Sequence, residues 1–392
     1  MDRATPDGLA VSPSSIVVEL DATGRDSGVE LEEPNEIQHP FDPERIDVVT
    51  RTPTVSLLLS RIKRGSIDLA PDFQRKAGLW TEKAQSRLIE SLLLRIPLPT
   101  FYAAENEGET WSIVDGIQRL TTIARFIEPA SVDISPLRLS DLEYLREYEG
   151  FRFNQLPGRL MTRLEETEVV LHLIRHTTPE EVKFNVFGRI NTGGLVLSQQ
   201  ELRHALIPGA ARALLSALAQ SPKFLTATAR SVSPSRMADR EMALRFLAFR
   251  RANPQEYSEQ DFDAFLRKTM WELNSETEAE RSRLAAEFDA AMTCAHDLFS
   301  YHTFRKQALG QRGRNPINKA LFEATSVNLA SRTPAQRSTL VAKKNIVNDD
   351  VVELLADPVF ERAISVGTGD VGKVRARFQM FDEVLRRHDG TA

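Results

Sequence analysis

The sequence predicts an α+β N-terminal domain, in which a small mixed sheet is flanked by helices, followed by an all-α C-terminal domain. Between residues 46 and 210, stretches with apolar residues at helical spacing alternate with short β-branched runs. From about residue 211 to 392 the apolar spacing is helical almost throughout. Residues 1–45 are rich in acidic residues, Pro and Gly without sustained periodicity, so we expect a flexible lead-in.

Two helices are predicted before residue 100. In "TPTVSLLLSRIKRG" the apolar residues recur every three or four positions, and Gly65 is a plausible stop. In "TEKAQSRLIESLLLRIPLP" Thr81 stands at an N-cap position, and the helix must end before Pro97. Both helices are expected to bury one apolar face.

A hairpin and a further strand supply the predicted sheet. "TFYAAENEGETWSIVDG" contains two strand-like runs separated by "ENEGE", and "TEVVLHLIRH" is rich in residues that favour strands. The hairpin continues into "IVDGIQRLTTI", where a β-branched run, an Asp-Gly pair and an apolar helical stretch follow one another. We therefore predict a strand, a turn and a helix here, and we call residues 115–119 the corner.

The corner carries residues suited to phosphate chemistry. A Gly-containing turn before a helix N-terminus favours an anion, because unpaired N–H groups and the helix dipole point at it. Gly116 permits close approach, and the planar guanidinium of Arg119 suits a pair of phosphate oxygens. A carboxylate beside a phosphate needs a cation between them, so Asp115 is expected to bind Mg²⁺ or to orient a water, which Gln118 positions.

The residues of the corner leave a second interpretation open. In that interpretation Asp115 caps the helix, Gly116 relieves the turn, and Arg119 is a solvated surface residue. A single Asp-Gly-x-Gln-Arg pattern is too short to decide between the two.

Two other stretches place polar residues at the ends of predicted elements. "PDFQRKAGLW" carries Gln74 and Arg75 just before a helix; the alternative is a surface loop in which Trp80 anchors that helix. "FNVFGRINTGG" joins two predicted helices, and the second opens with a Ser198–Glu201 capping box. Here the alternative is an ordinary glycine C-cap.

Composition limits the class of protein. Of 392 residues, 41% are hydrophobic and 27% charged, as in ordinary globular proteins. The net charge of −5 means that any contact with DNA must come from local basic patches. Cys294 is the only cysteine, which excludes an intramolecular disulfide and a cysteine-built metal cage and favours a cytoplasmic location. No run approaches the roughly 20 apolar residues of a membrane span, so we expect neither membrane insertion nor secretion.

Two apparent motifs are rejected. "GTGDVGKV" at 367–374 has Val374 where a P-loop needs Ser or Thr, and it follows a helical stretch, so a loop between helices is predicted. His172 and His176 lie four residues apart in a strand-like run. That spacing separates them by roughly 13 Å, which is too far for one shared metal ion.

Three blocks of the sequence together resemble a known family. They are "DFQRKAGLW" with "RLIESLLLRIPLP", then "VDGIQRLTTI", then "FGRINTGGLVLSQQELRHAL". In order and spacing, over about residues 50–210, they are similar to the signature blocks of the domain at the N-terminus of GmrSD-type modification-dependent restriction endonucleases, long labelled domain of unknown function 262. The resemblance implies a ParB/sulfiredoxin-like nucleotide-binding domain over residues 46–210, followed by a helical domain over residues 211–392.

The resemblance also implies an activity. The family's Asp-Gly-Gln-Gln-Arg motif is tied to nucleotide hydrolysis in antiphage restriction. Asp115, Gln118 and Arg119 are accordingly expected to be catalytic residues of an NTPase, with Asp115 as the Mg²⁺ ligand. The residues implied in nucleotide binding are Gln74, Arg75, Gly116, Asn191, Thr192, Gly193 and Gly194.

Two departures from the family pattern leave alternatives open. Ile117 stands at the first Gln of the motif, which implies slower hydrolysis, or binding without hydrolysis. Fused family members carry a C-terminal HNH-type nuclease, and residues 210–392 contain no such motif. The expected partners are nucleotide, DNA, a separate nuclease or other defence protein, and a second copy of the chain. The alternatives are a non-catalytic DNA-binding or sensor module that recruits an effector, and a ParB-like nuclease.

Overall fold

The described chain is a mixed α/β protein whose C-terminal part is all helical, which confirms the predicted fold class. The structure is a computed structural model that describes residues 18–20, 26–32, 45–69, 80–106, 108–190, 197–259, 261–307 and 313–390. Within these residues, the N-terminal part contains a five-stranded mixed sheet with flanking helices.

Two short strands fall inside the expected lead-in. Strands β1 (Val18–Leu20) and β2 (Asp26–Glu30) pair antiparallel. Val29 is fully buried, and the Glu30 N–H donates to the Ile317 carbonyl at 2.8 Å. The structure thus differs from the expectation of a flexible segment, because the partners that order these strands lie almost 300 residues away in sequence.

The mixed sheet brings several strand ends to one edge. Its strands are β3 (Val48–Arg51), β4 (Ile67–Asp68), β5 (Phe101–Glu105), β6 (Trp111–Asp115) and β7 (Leu171–Ile174). The order across the sheet is β3-β7-β5-β6-β4, with β7 parallel to β5 and β4 parallel to β6. The other two pairs are antiparallel, as expected for the β5–β6 hairpin. Consequently the end of β6 lies beside the starts of β5 and β7.

Six helices accompany the sheet in the described part of the chain. They are α1 (Val55–Lys63), α2 (Glu82–Leu93), α3 (Ile117–Ile127), α4 (Gly158–Glu166), α5 (Glu180–Ile190) and α6 (Gln199–Leu206). The predicted caps are confirmed at two of them. The Thr81 hydroxyl accepts from the Ala84 N–H at 3.2 Å, and Ser198 and Glu201 form the reciprocal capping box.

The C-terminal part consists of ten α-helices within the described residues. They are α7 (Ala210–Ala219), α8 (Pro222–Ala227), α9 (Ala238–Arg251), α10 (Phe262–Ser275), α11 (Glu278–Phe299), α12 (Lys319–Ala330), α13 (Pro334–Ala342), α14 (Lys344–Ala356), α15 (Pro358–Ser365) and α16 (Val371–Arg386). Every residue of α12 is buried, so this helix is the centre of the helical part.

The rejected P-loop match runs from the turn after α15 into the first turn of α16, so the predicted loop between helices is confirmed only for residues 367–370. The Lys373 ammonium donates to the Val366 carbonyl at 2.6 Å, and Asp370 caps α16. The element directly before this segment is the helix α15 and not a strand, and Lys373 of α16 is bonded to the end of that helix.

Two apolar clusters occupy opposite faces of the mixed sheet. Ile113 belongs to a cluster with α1–α4, whereas its neighbour Val114 belongs to a second cluster, because successive strand residues point to opposite faces. The second cluster runs through Leu206 of α6 and Leu215 of α7 into the helical part. The apolar core is therefore continuous across residue 210, and the domain boundary there stays a prediction.

An ion network is buried in the helical part. The Arg245 guanidinium of α9 contacts Glu32 at 2.5 Å, Glu241 at 2.7 Å and Glu323 at 2.8 Å. Burial lowers the pKa of Arg245, but the three carboxylates raise it by more, so the group stays charged. Through Glu32, this network ties the segment after β2 to α9 and α12.

Candidate functional site

The corner has the strand–turn–helix structure that the sequence predicts. Strand β6 ends at Asp115, Gly116 has a φ of 92°, and α3 begins at Ile117. Gly116 is the N-cap residue, and no side chain caps this helix. The arrangement leaves the first N–H groups of α3 facing the edge of the sheet where β6 ends.

A shift in strand register accompanies the end of β6. Ala103 of β5 lies opposite Ile113, but the next residue, Tyr102, lies opposite Asp115. Val114 is therefore an extra residue on β6, as in a β-bulge. Bulges bend a strand and change the direction of the side chains that follow. Here the irregularity immediately precedes the carboxylate of the corner.

Arg119 is buried at the corner, in contrast to the interpretation of it as a solvated residue. It is 8% exposed, and its guanidinium donates to the carbonyl of Pro99 and, at 3.2 Å, to that of Thr100. The Nη2 group that donates to Thr100 also donates to Asp115 Oδ2 at 2.9 Å. The guanidinium carbon lies 4.6 Å from the centre of the Phe101 ring. Arg119 thus joins α3, the end of β6 and the segment that leads into β5.

The electrostatics of the corner are those of a single, partly open ion pair. Burial lowers the pKa of the Arg119 guanidinium, and the neighbouring Asp115 carboxylate opposes this shift. The Asp115 side chain is 38% exposed, whereas that of Arg119 is 10% exposed. Among the described residues, Asp115 Oδ1 has no hydrogen-bond partner. One carboxylate oxygen is therefore held, and the other is available to a ligand.

Both packing and backbone conformation explain why residue 116 is a glycine. A Cβ atom at this position would lie 2.4 Å from Cδ1 of Phe101 and 3.2 Å from Nη2 of Arg119. The space that a side chain would fill is thus already occupied by groups of the protein. The role of Gly116 in nucleotide binding stays a prediction, because it depends on the backbone N–H groups of the turn and not on the space around a Cβ atom.

Ile117 and Gln118 point to different surroundings. Ile117 is 7% exposed and belongs to the apolar cluster with α1–α4. Gln118 is partly exposed, its carbonyl accepts from the Thr122 hydroxyl at 2.7 Å, and its side-chain amide has no partner among the described residues. Ile117, where the resemblance leads one to expect a Gln, is thus a core position, while the side-chain amide of Gln118 is unbonded in the described chain.

The other predicted binding residues lie outside the described residues. This applies to Gln74, Arg75, Asn191, Thr192, Gly193 and Gly194. The described residues that flank them belong to elements of the corner region. Leu69 follows β4, which is parallel to β6, and Ser198 precedes α6, which packs against β6. Trp80 accepts through its carbonyl from Gln85, which in turn accepts from Arg125 of α3.

Several residues near the corner escape sequence reasoning. The carbonyls of Pro99 and Thr100 carry no sequence signal, because any residue type has a carbonyl. Phe101, Tyr102 and His172 lie near the corner only because β5 pairs with both β6 and β7. A strand alternation in "TFYAA" is the one pattern that marks two of them.

The two histidines rejected as a metal pair contact different groups. His172 Nδ1 lies 2.9 Å from the Thr50 hydroxyl, whereas His176 Nδ1 lies 3.3 Å from Glu105 Oε2. Within the described ranges, no group of three or more His, Cys, Asp or Glu side chains is placed to hold a metal ion. Among the described helices, none has the length and apolar character that a bilayer span requires.

Comparison with known proteins gives one family. Residues 55–208 match the family described as GmrSD restriction endonuclease, N-terminal domain. No curated protein and no solved structure matches the chain significantly. The matched range begins with α1 and ends just after α6, so it contains the corner, four of the five strands of the mixed sheet and both segments that hold the other predicted binding residues.

Proposed function

Since residues 55–208 match the family described as GmrSD restriction endonuclease, N-terminal domain, we propose that the chain is a component of a restriction system that acts on DNA. We further propose that it binds and hydrolyses a nucleoside triphosphate at the corner, in a ParB/sulfiredoxin-like domain. The observation that carries the second proposal is the half-open carboxylate of Asp115, which Arg119 holds at the N-terminal end of an uncapped helix.

The backbone of α3 supplies the phosphate-binding part of this proposal. The first N–H groups of a helix have no intrahelical partners and favour an anion. The Asp115 carboxylate stands at the same position, and two negative groups repel each other unless a cation lies between them. The corner therefore combines an anion site with a group that requires a cation.

The residues present fit Mg²⁺. This ion is commonly held by one or two carboxylates together with substrate phosphates and water. Asp115 offers one carboxylate oxygen, and the exposure of its side chain leaves room for phosphate and water ligands. When bound, Mg²⁺ neutralises charge that develops on the phosphate oxygens.

The side chains of the corner divide the remaining work. Arg119 positions Asp115, because its other donors are fixed on the Pro99 and Thr100 carbonyls. Gln118 orients the attacking water through its side-chain amide, which has no other partner in the described chain. This assignment makes Arg119 a positioning residue, and its direct contact with phosphate stays a prediction.

The test is phosphate release from ATP, GTP, CTP and UTP with Mg²⁺, with and without DNA. We expect Asp115→Asn and Gln118→Ala each to lower the rate about 100-fold. Asn at position 115 keeps an acceptor for Arg119, so the variant is expected to fold. Asp297→Asn on α11 and Gln379→Ala on α16 are matched controls, since both residues are exposed and far from the corner in sequence.

The outcomes separate the proposal from its alternatives. Phosphate release lost in both corner variants and kept in both controls supports hydrolysis at the corner. Nucleotide binding without release supports a sensor whose motif has lost hydrolysis. DNA binding that falls steeply with salt and ignores nucleotide, in a protein that binds no nucleotide, supports a DNA-binding module instead.

A further inference from the structure

Two half-buried rings lie beside the corner, on the neighbouring strands. Tyr102 of β5 is opposite Asp115 of β6 on one side and opposite His172 of β7 on the other. The Tyr102 and His172 ring centres are 5.1 Å apart, with an angle of 41° between the ring planes. Paired positions on adjacent strands share a face of the sheet, so the two rings form one surface. We call this pair of rings the ring platform.

Both rings have neighbours in the protein, since Tyr102 packs against the apolar cluster that continues into the helical part and His172 contacts β3. Thr50 of β3 lies opposite His172, and its hydroxyl is 2.9 Å from His172 Nδ1, which fixes the imidazole ring. Among the described residues, His172 Nε2 and the Tyr102 hydroxyl have no hydrogen-bond partner, and both side chains are partly exposed.

The spacing of the strands sets the distance from the corner. Adjacent strands lie about 4.8 Å apart, which places Tyr102 about 5 Å and His172 about 10 Å from Asp115 along this row. An extended nucleoside triphosphate is longer than this row of residues. A nucleotide whose phosphates contact the corner is therefore long enough to place its base at the two rings.

We propose that the ring platform binds the base of the nucleotide by stacking. This inference rests on the proposed function, because the corner is assigned to the phosphates of the same ligand. Stacking on aromatic side chains accepts every base and stabilises binding of each base by about 1–3 kcal/mol. His172, which is too far from His176 to form a metal pair, thereby acquires a different role.

The experiment compares a nucleotide with a ligand that has no base. Calorimetry would measure the affinities of ATP, GTP, CTP and UTP, and of inorganic triphosphate, in the presence of Mg²⁺. The variants are Tyr102→Leu and His172→Leu, which keep apolar volume and remove the rings. Tyr144→Leu is the matched control, because Tyr144 is 69% exposed and lies elsewhere in the N-terminal part. Unfolding curves would show that each variant keeps the wild-type structure.

We expect each platform variant to bind the four nucleotides about tenfold more weakly and to bind inorganic triphosphate as the wild type does. Thr50→Val, which keeps both rings and removes the bond to His172, is expected to weaken nucleotide binding by about threefold without affecting triphosphate. A loss confined to the ligands with a base is a result that a merely structural role does not produce.

Three results would overturn the inference, and they are distinguishable. If the wild type binds neither nucleotide nor triphosphate, the proposed function fails and the platform fails with it. If the wild type binds nucleotide and the platform variants bind it equally well, the platform alone is wrong. If the variants lose nucleotide and triphosphate to the same extent, the rings support the fold of the edge rather than the base.

Discussion

The corner and the buried ion network both place an arginine against carboxylates, but they differ in how far the carboxylate side chains are exposed to solvent. Arg245 contacts three carboxylates whose side chains are at most 17% exposed. Arg119 contacts one carboxylate, that of Asp115, whose side chain is 38% exposed. Both arginines are themselves buried. Burial of an arginine therefore does not distinguish the two regions; what differs is that the carboxylate held by Arg119 stays partly exposed at a helix N-terminus.

The largest effect on stability is expected in the ion network. Arg245→Met leaves Glu32, Glu241 and Glu323 as buried carboxylates without their common cation. Removing one partner of a buried ion pair destabilises a protein by about 3–5 kcal/mol. We expect a loss of that size in the free energy of unfolding, measured by urea denaturation, with little change in nucleotide affinity.

The matched control for Arg245→Met is Arg283→Met on α11. The Arg283 side chain is 50% exposed and pairs with Glu280 and Glu287 on its own helix. Exposed pairs of this kind contribute about 0.2–1 kcal/mol. Equal losses in the two variants would contradict the distinction between buried and exposed charge on which the comparison depends.

A smaller effect on stability is expected at the corner from Gly116→Ala. Alanine is strained at a φ of 92°, and its Cβ would lie 2.4 Å from the Phe101 ring. We expect the free energy of unfolding to fall by about 2–3 kcal/mol. Chemical denaturation of the variant beside the wild type measures this loss.

A second substitution shows whether packing is the cause. Phe101→Leu makes room beside position 116, so Gly116→Ala in that background is expected to be less harmful than in the wild type. The two losses should therefore sum to more than the loss of the double variant. Strict additivity would mean that Gly116 is required for its backbone conformation alone, and that the packing explanation is wrong.

The smallest effect concerns Glu90 of α2, a buried carboxylate with backbone partners. It accepts from the N–H groups of Glu143, Tyr144 and Leu145 at 3.1, 2.7 and 2.8 Å. Burial raises the pKa of Glu90, but these hydrogen bonds lower it by more, so it lies below the ordinary value of 4.5. Glu90→Gln is expected to lower the free energy of unfolding at neutral pH by about 1–2 kcal/mol.

The lowered pKa of Glu90 also predicts how the stability difference between the wild type and Glu90→Gln changes with pH. A carboxyl group whose pKa is lower in the folded state stabilises that state above its unfolded pKa, near 4.5, and loses the contribution as the pH falls through the folded pKa. The difference in stability between wild type and Glu90→Gln should therefore be full at pH 7 and shrink below about pH 4.5. A difference that does not change with pH would contradict the role of the charge.

Local patterns were sufficient to predict most elements and the existence of the corner. The cap at Thr81, the capping box at Ser198 and the turn at Gly116 each depend on residues within four positions of one another. Signals of that range are visible in a single sequence. The chemistry assigned to Asp115 followed from the same short range, since it requires only a carboxylate before a helix.

Long-range contacts explain what the sequence did not reveal. The carbonyl partners of Arg119 lie about 20 residues before it and belong to no motif. The ring platform exists because β5 and β7 pair in register, and strand pairing cannot be read from composition. Strands β1 and β2 have weak patterns of their own and are ordered by residues of the helical part. In each case the missing information is which distant segments meet.

The docking of β2 has a consequence for what counts as a domain in this chain. Asn318 donates to Glu30 across 288 residues of sequence, and Ile317 pairs with the same strand. The helical part thus contacts a piece of the chain that precedes the family-matched residues 55–208, although its own helices follow them. A fragment that begins at residue 211 would lack Val29 and Glu32, and would expose the apolar surface and the cations that they cover.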